Sequence, residues 1–250
     1  MKKTLLAVAL ASSLTSFGAV AADKAPEPDF SLSANIGVVS DYKFRGISQT
    51  DGKAAVQGGV DLSHKSGAYI GTWASNVSDW TNTGGKNAEV DLYGGYRFSL
   101  PGDISADAGY ILYSYPANQP SSGIKQSTQE AYLGLGYGPL TYKFSITTGN
   151  WFGFCANSGG STYHDLGVAH SLNDKISISA HVGKQDVKCA TDYDFVDYKI
   201  GATYSITESL SVSGNYISVS GLSADGKTAF TSGAEKLYDS AFVISVLKTF

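Results

Sequence analysis

The sequence predicts an all-β protein: a transmembrane antiparallel up-and-down β-barrel of about twelve strands behind a cleaved signal peptide. Three observations carry this. The N-terminus has the layout of an export signal. The rest of the chain alternates apolar and polar residues in short segments, with no helical period of useful length. The connections between those segments alternate short and long.

Met1-Lys2-Lys3 is a basic start, Leu5 to Leu14 supplies a short apolar core, and Ala19-Val20-Ala21 is a small-x-small cleavage site. The mature chain then starts near Ala22 or Asp23, and residues 1–22 are the signal peptide. The apolar run is too short for a spanning helix, which needs about 20 apolar residues. No later stretch approaches one. Residues 23–29, DKAPEPD, are polar and proline-punctuated. The segment 23–32 is therefore expected as a periplasmic lead-in, with the barrel over 33–250.

The formal charge of −4 falls to about −6 once Lys2 and Lys3 are removed. That balance argues against nucleic acid as a partner and against peripheral binding to anionic lipid. Mean hydropathy is near zero. A barrel gives that value because a lipid face averages against a polar lumen. The 16 tyrosines and 29 glycines suit strands and membrane-interface girdles.

The alternating segments run 33–44, 54–62, 68–77, 87–98, 103–113, 128–137, 140–148, 162–170, 175–183, 194–204, 210–219 and 240–250. Short connections follow Leu62, Phe98, Tyr137, His170 and Tyr204. Long ones surround Asp51-Gly52, then cover Trp80 to Lys86, Pro116 to Lys125, Asn150 to Ser161, Lys184 to Tyr193 and Gly221 to Tyr238. Bacterial outer-membrane barrels have short periplasmic turns and longer outer loops. A soluble sandwich has no reason to alternate loop length so regularly. The two cysteines, Cys155 and Cys189, fall in the fourth and fifth long loops, on one rim. After export they face an oxidising compartment, so a disulfide is the expectation.

Side-chain parity separates the two faces. Ala88, Val90, Leu92, Gly94, Tyr96 and Phe98 oppose Glu89, Asp91, Tyr93 and Arg97. Val196, Tyr198, Ile200, Ala202 and Tyr204 oppose Asp197, Lys199 and Thr203. A Lys or Arg facing lipid at the midplane costs about 2–4 kcal/mol, so the charged set belongs inside or at a rim. The candidate lumen residues are Asp41, Lys43, Arg45, Glu89, Asp91, Arg97, Glu130, Lys143, Asp197 and Lys199, with Asp61, Asp107, Asp165 and Lys175 beside them. Inward charge pairs either brace a barrel wall or meet solute. Asp41, Lys43 and Arg45 either reach the lumen or its outer mouth, or pin the first strand to the closing one. Eight strands are just filled by their own side chains and 16–18 leave an aqueous channel, so about twelve implies a narrow pore.

No GxSxG, HExxH, CxxC or Walker loop occurs. His64, His164, His170 and His181 are scattered, and the adjacent His164 and Asp165 point to opposite faces of a strand. No enzyme activity, metal or cofactor is expected. The chain ends in an alternating strand, Phe242, Ile244, Val246, Lys248 and Phe250, with Lys248 close enough to the end to snorkel. The terminal aromatic Phe250 is the expected signal to the barrel-assembly machinery.

Residues 38–77 carry more than pattern. The blocks SDYKFRGISQ (40–49), AVQGGVDL (55–62) and GTWASNV (71–77) resemble the opening of the TorF-type porins, the Gcw_chp family. EVDLYGGY (89–96), LYSYP (112–116), HVGKQD (181–186), DYKIGATY (197–204) and VISVLKTF (243–250) are similar as well. The resemblance spans the mature chain and implies an exported outer-membrane barrel. It brings no catalytic residues, and the cysteine pair lies outside its motifs. The function expected is passive diffusion of small hydrophilic solutes. The alternative is a non-conducting structural or adhesive barrel acting through its extracellular loops, of which the last, 221–238, is polar. Expected partners are outer-membrane lipid and lipopolysaccharide, the assembly machinery and small polar solutes.

Overall fold

Twelve antiparallel strands close on themselves in the computed structural model of the chain, which describes residues 28–78, 87–116, 127–153, 156–188 and 190–250. The strands of the wall are β1 (Phe30–Val39), β4 (Ala55–His64), β5 (Ala68–Val77), β6 (Asn87–Leu100), β7 (Ile104–Ser114), β8 (Thr128–Tyr137), β9 (Leu140–Thr147), β10 (Thr162–Ser171), β11 (Ile176–Asp186), β12 (Phe195–Ser205), β13 (Leu210–Ser220) and β16 (Ala241–Thr249). Two small hairpins sit in long connections: β2 (Lys43–Phe44) with β3 (Ile47–Ser48), and β14 (Thr231–Ser232) with β15 (Glu235–Lys236). A 3₁₀ turn covers Thr191–Tyr193, and one short helix, α1 (Ala224–Ala229), is capped by the Ser223 hydroxyl accepting from the Gly226 amide at 3.0 Å.

Each wall strand pairs with its neighbours in the chain, and β1 closes the ring between β4 and β16. At the seam Ile36 lies opposite Lys248 and Val38 opposite Val246. The Phe250 amide donates to the Ala34 carbonyl at 2.9 Å, so pairing continues to the last residue. Closure is required because an open edge in hydrocarbon leaves backbone groups unpaired at several kcal/mol each.

The outer wall is apolar and bare. Leu32, Ile200 and Phe242 are 71%, 63% and 66% exposed, and Ile36, Leu92, Leu166 and Ile244 join them. A continuous band of this kind needs lipid to cover it. Outward aromatics gather at both ends of the wall. Phe30, Phe98, Tyr137, Tyr204 and Phe250 lie toward the short-turn end. Tyr110, Tyr198, Tyr216 and Phe242 lie toward the long-loop end. Lys248 faces outward among them, donating to the Ser209 hydroxyl at 2.5 Å and lying over the Phe250 ring.

The first strand departs from expectation. Alternation suggests a strand over 33–44. The chain instead enters the wall at Phe30, leaves it after Val39 and turns inward. Lys175, expected on the lumen side, is exposed in the short turn before β11. The signal peptide and most of the lead-in fall outside the described residues, as do Cys155 and Cys189.

The last long connection also differs. Its sequence is polar, yet Leu222, Phe230 and Leu237 are buried. Ser223 donates to the Asp192 carbonyl at 3.3 Å, docking α1 on the neighbouring 3₁₀ turn. The loop folds over the barrel mouth rather than standing off it.

Inside the wall, Gly183 on β11 makes room for a hydrogen bond between its neighbours. Tyr163 on β10 donates to Asp197 Oδ2 on β12 at 2.9 Å. A Cβ at 183 would overlap both the Tyr163 hydroxyl and that carboxylate. Gly183→Val should therefore destabilise the barrel by about 1–3 kcal/mol, the usual cost of overpacking. Graded heating before electrophoresis checks it: the folded band should disappear at a lower temperature than in wild type, and an unchanged transition would refute the packing.

Candidate functional site

Residues 40–50 form a plug inside the barrel. The β2–β3 hairpin turns at Arg45 and Gly46, both with positive φ (48° and 79°). Glycine is needed at 46 because a Cβ there would overlap the Val219 side chain and press on Asp197. Phe44 packs edge-on against Tyr113 at 5.4 Å and Phe152 at 5.6 Å, and Tyr42 against Trp73 at 5.4 Å. The Ser40 amide donates to the Ile244 carbonyl at 2.9 Å where the segment enters, and the backbone is tied twice more where it leaves. The Ser48 amide donates to the Leu237 carbonyl at 2.8 Å, and the Ser78 amide donates to the Gln49 carbonyl at 2.8 Å.

The three charged residues of the plug each have built partners. Asp41 accepts from the Ser48 hydroxyl at 2.5 Å and the Thr50 hydroxyl at 3.2 Å. Lys43 Nζ donates to the carbonyls of Leu237 (3.2 Å) and Asp239 (3.0 Å) and lies 3.6 Å from Asp41. Burial draws the Lys43 ammonium below the usual lysine range, with Asp41 opposing. The segment is packed within the barrel wall. Lys43 also binds the loop that leads into the closing strand.

Arg45 reaches furthest across. Its guanidinium donates to Glu130 on β8 at 2.6 Å and to Gln185 on β11 at 2.7 Å. It also lies over the Tyr163 ring at 4.1 Å from the centroid. Burial is the largest single influence and works against its charge, but Glu130 together with Tyr113 and Tyr163 more than offsets it and raises the guanidinium above the usual arginine range. Both partners of the ion pair are almost fully buried. Breaking such a pair costs about 3–5 kcal/mol, because one charge is left without a partner.

The wall residues expected in the lumen do face inward. Toward the short-turn end, Arg97 stands 3.6 Å from Asp107 and lies over the Tyr69 ring at 4.0 Å. Tyr69 donates to Asp107 at 2.7 Å and bonds Tyr132, whose ring carries Lys143 at 4.2 Å. Nearer the plug, Asp197 accepts from His181 Nε2 at 2.8 Å, and Asp165 engages Nδ1 at 2.9 Å. Glu89 lies against Tyr42 and Tyr115. Among the described residues no ion pair reaches Glu89 or Asp91.

Several contributors were not singled out from sequence. Gln185 has the inward parity of β11, but lies just past where the alternation was read to stop. The His181 clamp needs residues from three strands, and no local motif announces it. His164 points outward, stacked on Phe144 with its Nδ1 2.7 Å from the Tyr142 hydroxyl. It is thus separated from Asp165 by the thickness of the wall.

A cavity lies on each side of the plug. On the long-loop side lies a cavity of about 160 Å³, walled mostly by aromatic side chains. On the other side lies a polar cavity of about 70 Å³, bordered by Lys43, His181, Asp197, Lys199 and Asn215. Among the described residues, Arg45 alone borders both.

The barrel resembles solved outer-membrane porins. The KdgM porin, solved in complex with disordered oligogalacturonate, matches with a TM-score of 0.54 at 7% identity, over 88% of this chain and 98% of that one. The NanC porin in a rhombohedral crystal form matches with 0.53 at 9% identity, over 87% and 98%. At such identities the likeness is one of fold. No protein of curated function matches the sequence. The model of a family described as a bacterial protein of unknown function, Gcw_chp, matches residues 23–250, and the chain belongs to that family.

Proposed function

We propose that this chain is an outer-membrane porin of the TorF type, passing small hydrophilic solutes by passive diffusion when its own plug yields. The observation that carries the reading is the position of Arg45. It stands between an outer and an inner cavity, held by Glu130 and Gln185. A solute moving between these two cavities would meet that side chain. The apolar exterior supports residence in a lipid bilayer, and the shared fold of KdgM and NanC supports a channel-like barrel. Lipid and lipopolysaccharide would cover the outer wall. His181 has both ring nitrogens engaged by carboxylates, an arrangement suited to bracing three strands rather than to catalysis.

Planar-bilayer conductance tests the gate. Arg45→Ala leaves Glu130 buried without its cation and should loosen the plug. Wild type should show rare openings and the variant at least tenfold more frequent ones, since 1.4 kcal/mol already changes a population tenfold. If both are silent while the folded, heat-modifiable form is retained, the porin reading fails. A non-conducting structural barrel acting through its outer loops would then stand.

The Phe250 end suggests the assembly route. Its ring is 73% exposed, while its backbone is paired with β1. Deleting Phe250 should leave export intact and reduce the membrane-inserted, heat-modifiable fraction. Unchanged insertion in membrane fractions would rule out its role as an assembly signal.

A further inference from the structure

The outer cavity has a chemistry unlike the rest of the lumen. Its walls are Phe44, Phe152, Phe195, Phe230, Trp151 and Tyr115. These rings hold one another in place. Trp151 meets Phe152 at 5.6 Å with an interplanar angle of 83°, and Phe195 meets Phe230 at 6.1 Å and 88°. Such edge-to-face contacts fix ring orientation, so the walls stand preformed. Polar residues border it too, Arg45 and Gln49 among them, while the Ser48 hydroxyl is committed to Asp41. The rim is closed by the end of α1, where Ala229 borders the space.

We propose that this chamber binds one single-ring aromatic molecule carrying a hydrogen-bonding substituent, the class of which phenol is the simplest member. Size selects the ring. A cavity of roughly 150 Å³ lined by apolar side chains takes up benzene, and this one measures about 160 Å³. Polarity excludes the alternatives. A sugar would bury hydroxyls against aromatic faces without partners, at a cost for each. An organic cation would meet the Arg45 guanidinium. A phenol lays its ring among the phenylalanines and turns its hydroxyl to the Arg45 and Gln49 side. The chamber lies on the outer side of Arg45, but binding in it does not require solute passage, which the conductance experiment reads separately.

Titration calorimetry on the folded full-length chain in detergent tests it, with phenol as ligand and cyclohexanol as a non-aromatic comparison. Ala229→Phe fills the chamber from an exposed position at the end of a surface helix. Ala229→Leu is a smaller filling, should the first disturb folding as judged by heat-modifiable mobility. Phenol should bind wild type saturably with one site, and cyclohexanol several-fold more weakly. The filled variants should bind phenol at least about tenfold more weakly, because the space itself is removed. Three results would each overturn the proposal: no saturable heat from phenol, unchanged affinity in both filled variants, or cyclohexanol bound as tightly as phenol. Phenol binding by a chain that passes no current would remove the porin reading and leave this site standing.

Discussion

A twelve-strand cylinder is too wide for its own wall side chains to fill. Eight strands come close to filling theirs. This one solves the problem with chain, bringing residues 40–50 into the space. That choice imposes the rest. A plug inside a low-dielectric wall must satisfy every charge it brings. Asp41 finds two hydroxyls, Lys43 two carbonyls, and Arg45 a carboxylate and an amide. Glu130 and Gln185 are fixed opposite Arg45 for the same reason. The loop before β16 folds inward to offer the Leu237 and Asp239 carbonyls.

The lumen is therefore layered. Aromatic rings and buried Leu237 form the outer chamber, the charged plug forms a waist, and polar side chains border the inner space. The wall below is braced by pairs that cross strands: Arg97 with Asp107, and His181 between Asp165 and Asp197. Each brace ties neighbouring strands, so stiffness there is local. The Arg45 ion pair is the long-range tie, since it joins a loop to strands across the lumen.

Strand count, faces and loop alternation were legible because they rest on period-two hydropathy and turn residues. Fourteen charged residues were read as inward; those on wall strands face that way, while Lys175 stands exposed in a turn. The plug was not legible as such. Val38, Ser40, Tyr42 and Phe44 continue the alternation of β1, so the strand reads through the point where the chain leaves the wall. The one local hint is Arg45-Gly46, where two successive positive φ angles end any strand. The polar last loop misled for another reason. Its few apolar residues are spaced so that only the folded loop brings Leu222, Phe230 and Leu237 together with the wall.

Arg45 belongs to the first loop of the chain, but its two anchors lie 85 and 140 residues further on. Until β8 and β11 stand in the wall, its charge has no site to enter. The plug thus precedes both of its anchors in the chain but can be seated only after them. The docked arginine records that the strands carrying Glu130 and Gln185 already stand in their places around it.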